Sequence, residues 1–132
     1  MRLGEMQPER DHHLKASENS YTSDALGRMG REARKGGYFS FDIKINPTIS
    51  NSLLCTYIGD DKNRAFDIWV DDSKLASVEW NGGETGRFYD VEYPIPANLL
   101  AGKSTITIKI EANTAKTAGR IFGCRIIASA KK

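Results

Sequence analysis

Few residues of this 132-residue chain have side chains suited to covalent or metal chemistry: two cysteines and two adjacent histidines, His12 and His13. Cys55 and Cys124 form no C-x-x-C motif, which excludes a zinc ribbon or a thiol redox motif. Each lies in a strand-like run, which favours two small buried side chains, although a disulfide is also compatible with the sequence. Neighbouring histidines on an extended chain point to opposite sides and are poorly placed to share a metal.

Sequence motifs of the common enzyme classes are also missing. The chain contains no H-E-x-x-H, no P-loop and no G-x-G-x-x-G after a strand. A Ser-His-Asp or Cys-His site would have to take its histidine from the N-terminal tail. We therefore predict that this chain has no catalytic constellation and is not an enzyme.

Two tryptophans have the chemistry needed to recognise a sugar, which requires a flat aromatic ring and fixed hydrogen-bonding groups. Trp69 alternates with the apolar residues of its strand and should therefore be exposed, while Trp80 stands at a strand end beside a glycine turn. Asp67, Arg87 and Asp90 could supply the hydrogen bonds. The alternative is that both tryptophans pack under a loop or against a neighbouring domain.

Two acidic turns are weak candidates for a structural calcium site. Asp60-Asp61 and Asp71-Asp72 offer carboxylate oxygens, which are the ligands that calcium prefers. Aspartate is also common in turns for purely conformational reasons, and a lysine follows each pair closely. We expect no cofactor, with calcium at Asp60 and Asp61 as the alternative.

Charge along the chain is unevenly distributed, although the formal net charge is only +2. Residues 1–36 carry +1 (seven basic and six acidic), residues 37–94 carry −5 (five and ten), and residues 95–132 carry +6 (seven and one). The last two segments are expected to neutralise each other in the fold, or else to form a basic patch for an anionic partner. The small net charge argues against nucleic acid as a partner, and no apolar run is long enough to cross a membrane.

The elements that must position these residues are short strands. Apolar and polar residues alternate with a period of two, and turn residues recur every eight to twelve positions. This pattern predicts an all-β antiparallel β-sandwich or jelly roll, with one helical turn in PIPANLLAGK (94–103). The predicted strands are 37–45, 52–58, 64–70, 74–80, 87–93, 104–112 and 120–128.

The N-terminal part of the chain lacks this alternation. Residues 1–16 are expected to be a linker or boundary segment, and residues 17–130 a single β-sandwich domain. Within that domain, Gly27 and Gly30 would interrupt a helix, so we interpret residues 17–36 as an ordered loop.

Residues 18–127 resemble the C-terminal β-sandwich module of bacterial glycoside hydrolase family 127-like proteins, the β-L-arabinofuranosidase group. The matching segments are GGYFSFDIKI, LLCTYIGDD, RAFDIWVDDSKLA, FYDVEYPIP, GKSTITIKIEA and AGRIFGCRI. The segment around Asp67 and Trp69 is also similar to the hairpin of malectin-like and galactose-binding-like sandwiches.

The resemblance implies a non-catalytic accessory module of a polysaccharide-degrading enzyme. Its partners would be a plant-type polysaccharide or oligosaccharide and the catalytic domain of a parent chain. The alternative is a purely structural domain that supports a catalytic barrel without binding sugar. Location cannot be inferred from this chain alone, and a parent that resembles the family would be periplasmic or secreted.

Overall fold

Two sheets packed face to face form the protein, in a computed structural model that describes residues 1–128. This arrangement confirms the predicted all-β sandwich. The expected end of the domain at residue 130 lies outside the described residues. The elements are α1 (Met6–Asp11), β1 (Lys15–Ala16), β2 (Ser20–Ala25), β3 (Arg28–Arg34), β4 (Tyr38–Lys44), β5 (Asn51–Ile58), β6 (Arg64–Val70), β7 (Ser73–Trp80), β8 (Phe88–Ile95), a 3₁₀ turn (Ala97–Leu99), β9 (Thr105–Ala112), β10 (Thr117–Ile121) and β11 (Gly123–Ala128).

The larger sheet has the strand order β1-β4-β9-β6-β10-β3-β2, with β7 added on β6, and the smaller sheet has the order β11-β5-β8. Neighbouring strands are antiparallel except for β10 and β6, which are parallel and joined through the pair Arg64 and Thr117. Every second residue of β4, β6 and β9 points between the sheets, where Phe41, Ile68 and Ile108 are fully buried. The alternation in the sequence therefore builds the core.

Residues 120–128 were predicted to form one strand, but the structure divides this part of the chain between two strands. Residues 117–121 belong to the larger sheet as β10, and residues 123–128 belong to the smaller sheet as β11. Buried Phe122 lies at the crossing point, where its backbone N–H donates to the carbonyl of Thr56. One apolar run thus serves both sheets, and period-two alternation alone cannot reveal such a crossing.

The interpretation of residues 17–36 as a loop is wrong. They form the hairpin β2–β3, whose register pairs Ala25 with Arg28 across the two-residue turn Leu26-Gly27. The buried positions of β3 carry Gly30, Glu32 and Ala33. At Gly30 the backbone lies against the Phe122 ring, where an added Cβ would come within 2.9 Å of the ring. Strand β3 therefore lacks the alternating large apolar residues from which a strand is predicted.

Residues 1–16, expected as a linker or boundary segment, pack against the sandwich. Leu3 is fully buried in the core, and its backbone N–H donates to the carbonyl of Phe122. Glu9 of α1 accepts two hydrogen bonds from the guanidinium of Arg31, at 2.8 and 3.0 Å. No helix within residues 1–128 is long and apolar enough to cross a membrane.

Candidate functional site

The outward surface of the larger sheet carries Trp69 at its centre. Trp69 lies on β6 opposite the buried Ile68 and Val70, so its side chain points away from the core. Its cross-strand neighbours are Lys109 of β9 and Lys74 of β7. We call the outward side chains of Tyr38, Asp67, Trp69, Lys74 and Lys109 the Trp69 face.

Charged groups on this face are held in place around the indole. The ammonium group of Lys74 lies over the Trp69 ring, 5.5 Å from its centroid, and 3.4 Å from a carboxylate oxygen of Asp67. Asp67 also accepts a hydrogen bond of 2.8 Å from the hydroxyl of Ser77. Lys109 lies 5.5 Å from the ring centroid of Tyr38. The face therefore combines two aromatic rings with fixed hydrogen-bonding groups.

The indole N–H of Trp69 is buried and has no hydrogen-bond partner among the described residues. A buried donor without a partner loses its hydrogen bond to water, at a free-energy cost of about 1–3 kcal/mol. Such groups are uncommon in native proteins. The ring itself is half-buried, because Lys74 covers part of it.

Trp80 has a different environment, at the end of the sandwich formed by the turns around residues 59–63 and 81–87. Its indole N–H donates to the carbonyl of Ile58 at 3.0 Å. Its ring packs between Tyr57 and Tyr89, with centroid distances of 5.1 and 5.6 Å. The N–H of Trp80 therefore has a protein partner, and its ring packs against protein side chains.

Arg87 reaches the same end of the molecule but not the Trp69 face. Its guanidinium lies 5.1 Å from the Tyr89 ring centroid and 3.3 Å from a carboxylate oxygen of Glu84. Asp90 is separate again, because it lies exposed on β8 and accepts a hydrogen bond of 2.6 Å from Thr56. Of the five predicted sugar-binding residues, the structure thus brings Trp69 and Asp67 together on the Trp69 face, and Trp80 and Arg87 together beside Tyr89. Asp90 belongs to neither group.

The acidic turn at Asp60 and Asp61 is already occupied by protein groups. Asp61 is buried, and both of its oxygens lie within 3.2 Å of the guanidinium of Arg120, whose backbone N–H it also accepts. Arg64 adds a longer contact of 3.4 Å, and Asp60 accepts the backbone N–H of Gly86. Calcium would have to displace these arginines, and no cluster of three or more His, Cys, Asp or Glu side chains suited to a metal occurs in residues 1–128.

Cys55 and Cys124 face each other across the pair β5–β11, buried and without a disulfide bond, with their sulfur atoms 3.6 Å apart. The hydrogen bond with Cys124, together with burial, raises the pKa of the Cys55 thiol well above its ordinary value. The thiolate is the reactive form of cysteine, so this environment opposes nucleophilic chemistry.

A tyrosine pair lies beside the cysteines in the smaller sheet, with Tyr57 buried and Tyr93 half-buried. The hydroxyls of Tyr57 and Tyr93 are 2.8 Å apart. Burial raises the pKa of Tyr57 well above its ordinary value and that of Tyr93 to about 12. Neither group is therefore suited to act as a base near neutral pH.

Three members of the Trp69 face were not among the predicted site residues: Tyr38, Lys74 and Lys109. The alternation of β4 and β9 already places Tyr38 and Lys109 outward. Their convergence on Trp69 depends on the strand order β4-β9-β6-β7, which brings together residues far apart in the chain. Sequence periodicity gives the direction of a side chain but not its neighbours.

The architecture is that of β-sandwich carbohydrate-binding modules. A family 35 carbohydrate-binding module from Clostridium thermocellum superimposes with a TM-score of 0.60 at 11% identity, over 88% of this chain and 92% of that chain. The module TmCBM61, solved in complex with β-1,4-galactotriose, gives 0.54 at 14% identity over 96% and 92%. The Podospora anserina GH26-CBM35 β-(1,4)-mannanase gives 0.58 at 14% identity, over 92% of this chain but 27% of that chain. At these identities the likeness establishes the shared fold.

This chain belongs to the family described as "family of unknown function (DUF6805)", whose profile matches residues 1–127. The match includes the N-terminal helix and Leu3 as well as the strands. No curated protein sequence matches the chain.

Proposed function

We propose that this chain is a non-catalytic carbohydrate-binding module that binds an oligosaccharide on the Trp69 face. The observation that carries the proposal is the indole of Trp69, half-buried on an outward sheet surface with a buried N–H that lacks a partner. An aromatic ring can stack against the C–H face of a sugar, while carboxylate and ammonium groups bind its hydroxyls. Asp67, Lys74 and Lys109 surround the ring with such groups.

Lys74 controls access to the ring in this proposal. It lies over the indole, so a bound sugar would displace it and leave its ammonium group free to bind a hydroxyl beside the ring. The Lys74 side chain is 48% exposed and its partner Asp67 is 34% exposed, so their ion pair contributes little to stability and opens readily. The site is thus closed by a weak contact.

The wider role that we propose is that of an accessory module of a polysaccharide-degrading glycoside hydrolase, with a plant-type glycan as ligand. The sandwich fold within the Podospora anserina mannanase chain supports this proposal, because it provides one case in which such a fold accompanies a hydrolase. The complete reading frame around this sequence is the direct test. A neighbouring helical barrel would support the family 127-like parentage, and an unrelated context would contradict it.

Binding is tested by calorimetry against arabino-, galacto-, xylo- and manno-oligosaccharides. We expect at least one class to bind and Trp69→Ala to weaken that binding by tenfold or more, because the stacking surface is lost. Tyr21→Ala is the matched control, since Tyr21 is an exposed aromatic on β2, a strand remote from β6 in the larger sheet. Circular dichroism should show that both variants are folded.

Lys74→Ala provides a second variant on the same face. Removing Lys74 should uncover the indole and shift the tryptophan emission to longer wavelength without unfolding the protein. If folded protein gives no heat with any of these glycans, the proposal is wrong and the alternative of a purely structural domain remains. Binding that Trp69→Ala leaves intact would place the sugar site elsewhere.

A further inference from the structure

Three arginines line one cavity on the outward side of the smaller sheet. The cavity has a volume of about 290 Å³ and is bordered by Arg2, Arg28, Arg125 and Thr56. Arg2 belongs to the N-terminal segment, Arg28 begins β3 and Arg125 lies on β11, so three separate parts of the chain supply these charges. We call this cavity the arginine cavity.

None of the residues that line the arginine cavity is acidic. Within residues 1–128, Arg125 has no carboxylate oxygen within 4.0 Å, and Arg2 has a single long contact of 3.7 Å with Glu5. Arg28 stacks on Phe88, with its guanidinium carbon 4.5 Å from the ring centroid, which leaves its N–H groups available to other partners. Three like charges around one cavity repel each other, and a bound anion would remove that repulsion.

Among residues 95–128, the positive charge predicted from the sequence is only partly neutralised by ion pairs. Arg120 pairs with Asp61 and Lys103 pairs with Asp71, as the charge pattern suggested. Arg125 belongs to the same segment but remains without such a partner in the described part of the chain. Its guanidinium therefore carries an exposed positive charge that no described carboxylate balances.

A larger cavity of about 520 Å³ adjoins the arginine cavity, and the two share Met1 and Arg125. Ile43 and Ile126 line the larger cavity and offer an apolar surface. Its two acidic side chains are already bonded, Asp42 to Thr107 and His13, and Asp11 to Gln7. A ligand that spans both cavities would place an apolar face against the isoleucines and an anionic group among the arginines.

We infer that these adjoining cavities bind a sugar that carries a tetrahedral oxyanion, namely a sulfate or phosphate ester. Guanidinium groups match such oxyanions because their planar forks donate several charge-assisted hydrogen bonds. The C–H groups of a sugar ring suit the isoleucine surface. No Trp, Tyr or Phe side chain lines either cavity, and the aromatic rings there are the imidazoles of His12 and His13 in the larger cavity. Because bases are normally bound by stacking on large rings, this lining favours a sugar ester over nucleic acid. This site is separate from the Trp69 face.

The probes for the test are galactose 6-sulfate, galactose 6-phosphate, galactose, inorganic sulfate and a single-stranded oligonucleotide. Binding is followed by ¹H–¹⁵N NMR of the full chain, through the arginine Nε–H signals and the backbone amides of β11. We expect one or both sugar esters to bind more tightly than galactose or free sulfate, and binding to weaken between 50 and 300 mM salt, because charge interactions at the surface are screened. Which ester binds more tightly distinguishes a sulfated from a phosphorylated source.

Arg125→Gln should weaken ester binding by about tenfold, the expected loss of one charge-assisted contact. Lys62→Gln is the charge-matched control, since Lys62 is exposed in the turn after β5 and lines neither cavity. Equal binding of galactose and its esters, or ester binding unchanged by Arg125→Gln, would overturn the inference. Tighter, Arg125-dependent binding of the oligonucleotide would overturn the assignment to a sugar.

The expected binding of sugar esters is independent of the Trp69 face. Arg125→Gln should leave the binding of neutral oligosaccharides intact, and Trp69→Ala should leave ester binding intact. The two proposals can therefore fail separately.

Discussion

The two tryptophans show how one residue type acquires two roles within a single sandwich. Trp80 donates its N–H to a backbone carbonyl and packs between two tyrosines, so its burial is fully compensated. Trp69 lies under a lysine and its N–H has no partner within residues 1–128. This contrast, rather than the presence of tryptophan, selects the face on which we propose that sugar binds.

The buried cysteines give a prediction about reactivity. In freshly reduced protein at pH 8, neither Cys55 nor Cys124 should react with DTNB, because both are buried and the pKa of Cys55 is raised. Guanidinium chloride should expose both thiols and give two equivalents of product. Rapid labelling of native protein would show that the β5–β11 pair opens easily.

Asp61 gives a prediction about stability, since it is the buried partner of Arg120 and Arg64. Asp61→Asn should lower the free energy of unfolding by about 3 kcal/mol, because it leaves a guanidinium partly buried without its counter-charge. The measurement is urea unfolding followed by circular dichroism. Asp60→Asn is the matched control and should have an effect below about 0.5 kcal/mol, because Asp60 is exposed and asparagine can still accept from Gly86. Equal effects would contradict this role of Asp61.

At the scale of the elements, the strands with strong alternation could be predicted and those without it could not. The run around Ile106, Ile108 and Ile110 gives β9 almost to the residue, because each inward position carries a large apolar side chain. The hairpin β2–β3 could not be predicted because its buried positions carry small or charged residues, namely Gly30, Glu32 and Ala33. The same holds for the candidate site. The alternation of β6 predicts that Asp67 and Trp69 share one face, whereas the position of Lys109 beside Trp69 depends on the pairing of β9 with β6.

The turn of this hairpin yields a prediction about stability. Leu26 and Gly27 both have positive φ, at 51° and 80°, as a type I′ turn requires. Leucine is strained in this region whereas asparagine adopts it readily, so Leu26→Asn should stabilise the protein by about 1 kcal/mol. Thermal unfolding should show a rise in Tm of about 4 °C.

Leu26→Ala is the control for this substitution. It removes the same exposed side chain, which is 66% accessible, but brings no preference for positive φ. An equal rise in Tm for Leu26→Ala would attribute the gain to the loss of an exposed leucine instead of the turn conformation.

At the scale of the whole molecule, the N-terminal segment is part of the packed unit. Leu3→Ala should lower the free energy of unfolding by about 3 kcal/mol, because it empties a fully buried position in the core. Met6→Ala is the matched control, with an expected change within about 0.5 kcal/mol, since Met6 is 74% exposed. Chemical unfolding of both variants is the measurement. A negligible effect of Leu3→Ala would instead support the linker or boundary segment that the sequence predicts. The sequence of residues 1–16 has little periodicity, so it does not indicate that Leu3 is buried.

The crossing at Phe122 has a consequence for how the protein is made. Strand β10 lies between β6 and β3, so the hairpin β2–β3 has no hydrogen-bonded place in the larger sheet until residues 117–121 have been synthesised. Strand β11 likewise completes the smaller sheet last. Until β10 and β11 have left the ribosome exit tunnel, both sheets have open edges. The complete sandwich can therefore form only after β11 has emerged.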